Sequence, residues 1–435
     1  MIRTILTALL ALALAAPVAA QDAVPPRFFI ERIDVRDADR VSPEVIIAES
    51  RLRQGEEYSE ADLRDAAARL GRLPFLLSAD FSLEKGSDRG LYVLVIAVVE
   101  TKPFFYLLDI RPVFSEDDDN GFIDIDYGDR LGAGDNQGVL GARWFVGRRG
   151  AFHFGMFARD DNQEFTEDYT AAVVGYTQYD LFGTRAFATL NLKRTLLDIP
   201  RGAVVSPQLV VGVPVTANQT ATFTFDDSDF GTHEFFDENG VERSHRNTER
   251  LLSARWSYNT TNHPFLPTRG TVVSATPFLA WHDLSRFGSH DPGDDDGGFD
   301  LTAPERIAYH ARSYGFDVKA DRYLELSDRN SVSVGAEAGW ARADERSRVN
   351  GVLREQDREA TYTIARAGFS HSIWTREQQK RGDSRFEYVV RWAGHNRGSA
   401  PFLGPELEEE DFQLAWAWVR RSSFGTLRLG VGYGW

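Results

Sequence analysis

The chain contains no cysteine among its 435 residues, and its acidic residues outnumber its basic ones. The absence of cysteine excludes a disulfide framework and thiolate chemistry. A formal net charge of −16 argues against nucleic acid as a partner, because phosphate binding needs clustered lysine and arginine. After residue 20 no run of 18 apolar residues occurs, so a mature protein in a membrane cannot cross it with helices.

The first 20 residues have the pattern of a secretory signal peptide. Arg3 supplies a short positive start, the run Ile5–Ala16 is apolar apart from one threonine, and small residues up to Ala20 offer a cleavage site. The run is shorter than the ~20 apolar residues that a membrane-spanning helix needs. We therefore expect export of the chain, removal of residues 1–20, and a short linker over residues 21–26.

Residues 27–101 predict a small α+β domain with the order β-α-α-β-β. Its first strand, Phe28–Val35, is rich in aromatic and β-branched residues. The first helix begins at Ser42, a hydroxyl cap followed by proline, and is predicted to end near Leu52. Strands over Phe75–Lys85 and Leu91–Val99 complete the domain, and the second is so apolar that it should be central in the sheet.

The second helix of this domain is predicted to begin at Ser59, in a capping box with aspartate in place of the usual glutamate. Its apolar face follows the helical spacing of i, i+3, i+4 and i+7. The residues on that face are Leu63, Ala66, Ala67 and Leu70. Gly71 and Pro74 close the helix.

From about residue 103 to residue 435 the sequence alternates large apolar residues with small or polar ones. In Leu427–Trp435, for example, glycine occupies every second position from Gly430 onward. A soluble sandwich and a membrane barrel both alternate, but in the barrel the large residues face lipid. Aromatic residues at strand ends, long polar loops between short turns, and the aromatic terminus formed by Tyr433 and Trp435 favour the barrel.

The predicted fold is therefore a small α+β domain followed by a transmembrane antiparallel β-barrel of about 16 strands, with counts of 14–16 compatible with the pattern. If the longest loops, 226–248, 283–310 and 342–358, face outward, a count of 16 places Trp435 at the outer rim. Since the terminus should lie on the periplasmic side, we expect one strand to be split, merged or miscounted between Val139 and Tyr179.

The small domain resembles a polypeptide-transport-associated (POTRA) domain. The matching segments are "FFIERIDV", "LRQGEEYSEADLRDAAARL", "PFLLSADFSLEKG" and "LYVLVIAVVE", together with the step Gly55–Tyr58 and the acid Glu100. The resemblance implies contacts with unfolded or partly folded client polypeptides, often by pairing of a strand with a free sheet edge. The alternative is a generic small α+β domain without that role.

One turn of the barrel region has an aromatic residue before Pro-Thr-x-Gly, here Phe265, Pro267, Thr268, Arg269 and Gly270. In this turn, its most specific segment, the barrel region resembles the BamA/TamA superfamily of outer-membrane insertases and translocators. The segments "DRLGAGD" and "YDLFGT" resemble other turns of the same superfamily.

One family motif is missing, an Arg-Gly-aromatic sequence in a loop that folds into the lumen and meets acidic residues of the wall. The segment Asp344–Glu359 occupies the expected place and contains three arginines. An inward fold would place one of them against Glu337, which shares the lumen-facing parity of its strand. The candidate arginines are Arg346, Arg348 and Arg354. An outward loop with solvated charges is the alternative.

The sequence gives no indication of covalent chemistry. Nucleophile-elbow, zinc-protease and phosphate-loop patterns are absent, and the nine histidines show no metal-ligand spacing. We expect no enzyme activity, no cofactor and no metal.

The leading functional hypothesis is assembly, insertion or translocation of polypeptides at the outer membrane of a Gram-negative bacterium, with the small domain in the periplasm. The expected partners are the lipid bilayer, client polypeptides, periplasmic chaperones and accessory subunits. The alternative is a passive pore or surface antigen that has lost the lumen-loop motif.

Overall fold

The computed structural model describes most of the small domain and the strands of the barrel. The described residues are 26–71, 73, 75–110, 112–115, 124–125, 136–137, 139–146, 149–160, 169–181, 186–195, 205–216, 218–236, 242–263, 266–288, 305–349, 352–379, 382–396 and 411–434.

The small domain is a four-stranded sheet packed against two helices. Its strands lie in the order β2-β1-β4-β3, and only β1 and β4 are parallel. The elements are β1 (Arg27–Arg36), α1 (Pro43–Ser50), β2 (Glu56–Ser59), α2 (Glu60–Gly71), β3 (Leu76–Lys85) and β4 (Leu91–Glu100). The apolar strand β4 is central, as predicted. The predicted order omitted β2, whose four residues are too few to show an alternating pattern.

The two helix starts differ in how they are capped. At α2 the predicted capping box forms, because the Ser59 hydroxyl accepts from the amide of Asp62 and the Asp62 carboxylate accepts from the amide of Ser59, at 3.2 and 2.9 Å. At α1 the backbone carbonyl of Ser42 accepts the first amides, but its hydroxyl makes no capping bond. The first helix also ends at Ser50, two residues before the predicted Leu52.

The core of the small domain lies between the sheet and the helices. Ile30, Ile46, Leu70, Leu94 and Ile96 are fully buried there. Each such side chain stabilises the domain by about 1.5–3 kcal/mol through its removal from water, so the four short strands have a core of their own.

The barrel is a single antiparallel meander closed into a ring. Its strands are β5 (Phe104–Ile110), β6 (Pro112–Ser115), β7 (Asp124–Ile125), β8 (Asn136–Gln137), β9 (Val139–Val146), β10 (Gly150–Asp160), β11 (Tyr169–Leu181), β12 (Ala186–Thr195), β13 (Ser206–Pro214), β14 (Gln219–Phe236), β15 (Glu242–Asn259), β16 (Gly270–Gly288), β17 (Glu305–Glu325), β18 (Asn330–Val349), β19 (Val352–Ser372), β20 (Asp383–Asn396), β21 (Asp411–Ser422) and β22 (Gly425–Gly434). A one-turn helix, α3 (Arg376–Gln379), lies between β19 and β20.

Fifteen strand positions surround the lumen in the described part of the chain, when β5 with β6, and β7 with β8 and β9, are each taken as one position. The fold class is therefore confirmed. The expectation of a split, merged or miscounted strand between Val139 and Tyr179 is wrong, because β9, β10 and β11 are separate strands there, each paired with its neighbour.

An odd number of positions makes the first and last strands parallel. Residues of β22 pair with β5 and β6 in one register, from Gly425 beside Tyr106 to Gly434 beside Ser115. We call this pairing the seam. The small domain lies at the end of the barrel where β22 begins, which we call the near end. The last described residue of β22, Gly434, therefore lies toward the opposite, far end. The expectation that the small domain and the end of the last strand share the periplasmic side is wrong, because a parallel seam makes β22 end where β6 ends.

Strands β16 to β19 contain 19–21 residues each, whereas about 9–11 residues suffice to cross a bilayer. The segments 226–248 and 342–358, expected to be long loops, are largely extensions of β14, β15, β18 and β19. In the third expected loop, 283–310, residues 283–288 and 305–310 extend β16 and β17, and the rest lies outside the described residues. The sequence predicted loops there because the extensions are rich in charged residues and alternation is weak where both faces of a strand are solvated. The backbone pairing nevertheless continues along each hairpin.

The two faces of the barrel have opposite polarity. Large apolar side chains point outward and are exposed, for example Leu190, Phe223, Phe316 and Leu414. The inward face carries polar and charged side chains. This is the reverse of a soluble protein and is the pattern of a barrel surrounded by lipid. Among the described residues, no helix is long and apolar enough to cross a membrane.

Candidate functional site

The connection between β15 and β16 forms a compact, hydrogen-bonded turn, described over residues 260–263 and 266–269. We call it the mouth turn. The side chain of Asn262 accepts from the amide of Thr268 and donates to its hydroxyl, at 3.1 and 2.9 Å. The turn ends at Gly270, whose φ of 106° favours glycine. An added Cβ at Gly270 would lie 2.5 Å from the carbonyl oxygen of Thr260, so this position requires glycine.

The mouth turn reaches across the near end of the lumen. Leu266, 3% exposed, packs against Ala417 and Val419, which point inward from β21 five strands away around the sheet. Arg385 of β20 donates to the carbonyl oxygen of Leu266 at 3.4 Å and to the carboxylate of Asp383 at 2.8 Å. The turn is thus fixed to β20 and β21 by both an apolar contact and a charged donor.

The small domain packs against the same near end. The added Cβ of Gly71, at the end of α2, would lie 2.8 Å from the carbonyl oxygen of Asn262 in the mouth turn. Arg421 of β21 donates to the carbonyl oxygen of Leu76 at 3.3 Å. Phe75 packs against a buried cluster at the near end of the barrel. The members of that cluster are Phe105, Phe145 and Ala151. The domain, the mouth turn and the barrel wall therefore form one contact region.

Arg40 links the small domain to the barrel through its guanidinium, which lies 4.9 Å from the centroid of the Phe145 ring. Glu100 holds the loop that carries this arginine, since its carboxylate accepts from the amides of Arg40 and Val41. Burial lowers the pKa of Arg40, and the charge of Glu100 partly restores it. The acid singled out by the POTRA resemblance thus positions a domain contact.

The residues of the predicted family turn are placed as follows. Pro267, Thr268, Arg269 and Gly270 lie in the mouth turn and at the start of β16, and Phe265 lies outside the described residues. What the motif did not reveal is the role of Asn262 and Leu266, which organise the turn and anchor it. The only available signal was a lone leucine inside a polar turn.

The lumen wall of β17, β18 and β19 carries a connected network of charges. Arg366 contacts both Asp321 and Glu337 at 3.3 Å, and Lys319 lies 4.0 Å from Glu337. The hydroxyl of Tyr362 lies 3.0 Å from the carboxylate of Glu337 and 2.7 Å from that of Asp317 on β17. The wall itself therefore supplies the cations for its carboxylates.

The structure does not bring Arg346, Arg348 or Arg354 to Glu337. Arg346 and Arg348 share the parity of outward-facing residues of β18, and Arg346 contacts Glu355 at 3.1 Å with 70% of its side chain exposed. Arg354 lies ten residues along β19 from Ile364, the partner of Glu337, which is about 34 Å. A hairpin that extends the ladder cannot also fold into the lumen.

Other charged pairs line the lumen at a distance from this network. Lys193 of β12 contacts Asp226 of β14 at 2.6 Å, and Arg428 of β22 contacts Glu387 of β20 at 2.8 Å. In the described part of the chain, no group of three or more histidine, aspartate or glutamate side chains is arranged to hold a metal ion. The lumen is thus a polar passage lined by paired charges.

The seam is one of the shorter strand pairings in the described barrel, close in length to the seven pairs of β12 with β13 and of β13 with β14. Eight residue pairs join β22 to β5 and β6, compared with twenty between β18 and β19. Parallel pairing is also slightly less stable per residue than antiparallel pairing. At the near end the strands approach closely, because an added Cβ at Gly425 would lie 2.4 Å from the carbonyl oxygen of Tyr106.

The predicted C-terminal signal lies at this seam. The backbone of Tyr433 pairs with Phe114 of β6 and Leu414 of β21, whereas Trp435 lies outside the described residues. Gly430 and Gly432 pair with Ala417 and Ala415 on the lumen side. By this pairing the two glycines have the lumen-facing parity of β22.

Three solved structures are similar to this chain. CdiB from Acinetobacter baumannii is 9% identical with a TM-score of 0.44, over 90% of this chain and 67% of that one. CdiB from Escherichia coli is 10% identical with a TM-score of 0.34, over 97% and 89%. BamA from Haemophilus ducreyi, lacking POTRA domains 1–3, is 10% identical with a TM-score of 0.31, over 94% and 85%.

No protein-family model and no curated protein sequence matches the chain. At these levels of identity, its function has to be inferred from its own geometry.

Proposed function

We propose that this protein handles polypeptides at the outer membrane of a Gram-negative bacterium, either inserting client barrels or passing a client outward. The small domain holds the client on the periplasmic side, in keeping with its POTRA-like sequence. Periplasmic chaperones and accessory subunits deliver clients to it. No covalent step is required, because binding and release of extended chain can proceed through backbone hydrogen bonds.

The observation that carries this proposal is the single contact region at the near end. The α+β domain, the mouth turn and the barrel wall meet there, through Gly71 with Asn262 and Leu266 with Val419. A client bound to the domain therefore lies beside both routes into the barrel. One route is the lumen behind the mouth turn, and the other is the seam, where the first and last strands close the wall through eight parallel residue pairs.

The alternative of a passive pore or surface antigen draws support from the outward hairpin that contains Arg346 and from a network that already neutralises Glu337. The contacts of the mouth turn with both the small domain and β21 argue against the passive barrel, because a passive pore does not require them. We therefore favour the handling of polypeptides over the role of a passive barrel.

Depletion of the protein, followed by a count of other outer-membrane proteins and of secreted proteins, tests the proposal. A general fall in assembled barrels supports insertion, and loss of one secreted client supports translocation. Normal levels of both would refute the proposal and favour the passive barrel.

The absence of native cysteine allows the two routes to be separated with engineered pairs. Leu108→Cys with Leu427→Cys joins directly paired residues across the seam. Val390→Cys with Leu414→Cys makes a matched pair between β20 and β21. If clients enter the membrane through the seam, only the first pair blocks function, and reductant restores it. If clients pass through the lumen, neither pair does.

A further inference from the structure

A shallow groove of about 450 Å³ lies on the outward face of the barrel beside the seam. We call it the seam groove, and it is lined by Phe386, Trp416, Trp418, Leu429, Gly430 and Val431. Its floor and walls are apolar. The outer surface of a barrel needs only to be convex and apolar to face lipid, whereas this feature is concave.

The groove follows from a step in side-chain size between neighbouring strands. On β20 and β21, Phe386 and Trp416 stack with their ring centroids 5.8 Å apart and form a tall aromatic wall. On β22 the directly paired positions carry the smaller Leu429 and Val431. Because the step runs along the strand direction, the groove is elongated along strands that tilt by about 35–45° from the bilayer normal, an inclination that a flexible acyl chain can follow.

A positively charged side chain lies at the near end of the groove. Arg420 points outward two residues beyond Trp418 on β21, about 7 Å further toward the near rim. Its guanidinium lies 6.0 Å from the centroid of the Trp374 ring. On the other side of the β21–β22 turn, the ammonium of Lys102 lies 5.9 Å from the Phe424 ring. Tryptophan and basic side chains together are typical of the headgroup level of a membrane.

This stretch of rim is basic although the whole chain carries a net charge of −16. The outward-facing positions described on the near halves of β20, β21 and β22 include Arg420 and no carboxylate. The nearby acids Asp383 and Glu387 point inward, where Arg385 and Arg428 pair with them. The positive charge at the near end of the groove is therefore not neutralised by the wall.

We propose that the seam groove binds one anionic phospholipid, with an acyl chain along the aromatic wall and the phosphate at Arg420, supported by Lys102. The occupant follows from the pairing of an apolar channel with an unneutralised cation at headgroup depth. A lipid seated there lies against β22 and contributes to packing at the outer surface of the seam. The inference requires the barrel to lie in a membrane, but not that it handles clients.

Native mass spectrometry of the full-length protein, refolded in detergent, tests the proposal. The protein is titrated with phosphatidylglycerol and, separately, with phosphatidylcholine, and the fraction that retains one lipid is measured. We expect one phosphatidylglycerol to be retained more tightly than phosphatidylcholine. Arg420→Gln should weaken its retention about fivefold, the effect of one basic residue at a membrane surface.

Two further variants make the result specific. Arg322→Gln removes an arginine near the same rim on β17, at an outward parity position away from the groove, and should leave retention unchanged. Val431→Trp fills the groove while leaving Arg420 in place, and should reduce retention as strongly as Arg420→Gln. Heat-modifiable mobility on gels verifies that every variant folds.

Three outcomes would overturn the proposal. Equal retention of the two lipids, or equal effects of Arg420→Gln and Arg322→Gln, would mean that the barrel holds only nonspecific surrounding lipid. Unchanged retention in Val431→Trp would separate the lipid from the groove. A mass corresponding to a second copy of the chain, in place of lipid, would assign the groove to self-association.

Discussion

Removal of Arg366 from the lumen network should destabilise the barrel, because it leaves two carboxylates facing each other. Arg366 contacts Asp321 and Glu337 at 3.3 Å, and the side chains of both acids are 14% exposed. Breaking a fully desolvated pair from one side costs about 3–5 kcal/mol. Exposed pairs contribute about 1 kcal/mol or less. Since the lumen retains some water and Lys319 remains, we expect Arg366→Gln to lower the free energy of unfolding by about 2 kcal/mol.

The assay is urea-induced unfolding of the refolded protein, followed by tryptophan fluorescence and by heat-modifiable mobility. The double variant Arg366→Gln/Glu337→Gln should recover part of the loss, because it removes one of the uncompensated charges. Arg346→Gln is the matched control. Its partner is Glu355, and with the two side chains 70% and 61% exposed it should change stability by less than about 0.5 kcal/mol. Equal effects of the two single variants would refute the interpretation of the lumen network.

Further predictions concern the small domain, the mouth turn and the C-terminal strand. Hydrogen bonds from Ser59 lower the pKa of Asp62, so Asp62→Asn should destabilise α2 at neutral pH. The difference in stability from wild type should vanish as the pH falls through that lowered pKa. Hydrogen exchange of the α2 amides measures both effects. Gly270→Ala should lower the folded yield, since φ is 106° and the new Cβ meets a backbone oxygen; a normal yield on gels would contradict this. Deletion of residues 433–435 should reduce folded protein in cells more than it reduces the stability of the protein that does fold, and near-normal assembly would make the aromatic terminus incidental.

The local sequence determined most of the small domain. Capping residues, helical spacing and one very apolar run are short-range signals, and they located the strands and α2 to within a residue or two. The sequence did not predict the four-residue β2, because this strand is defined by its pairing with β1. Ala67 illustrates the same limit, since the helical pattern placed it in the core, whereas Ala68 is the buried residue. Tertiary packing, and not periodicity, chose between these neighbours.

In the barrel, period-2 alternation determined which face of each strand meets lipid, because the pleat of a strand fixes this without reference to its neighbours. The odd number of strand positions, the parallel seam and the place of the mouth turn were decided only by closure of the ring. Closure brings Leu266 to Val419 and Gly425 to Tyr106, residues far apart in the chain. Such contacts depend on the summed register of every strand between them, and that sum has no local signature in the sequence.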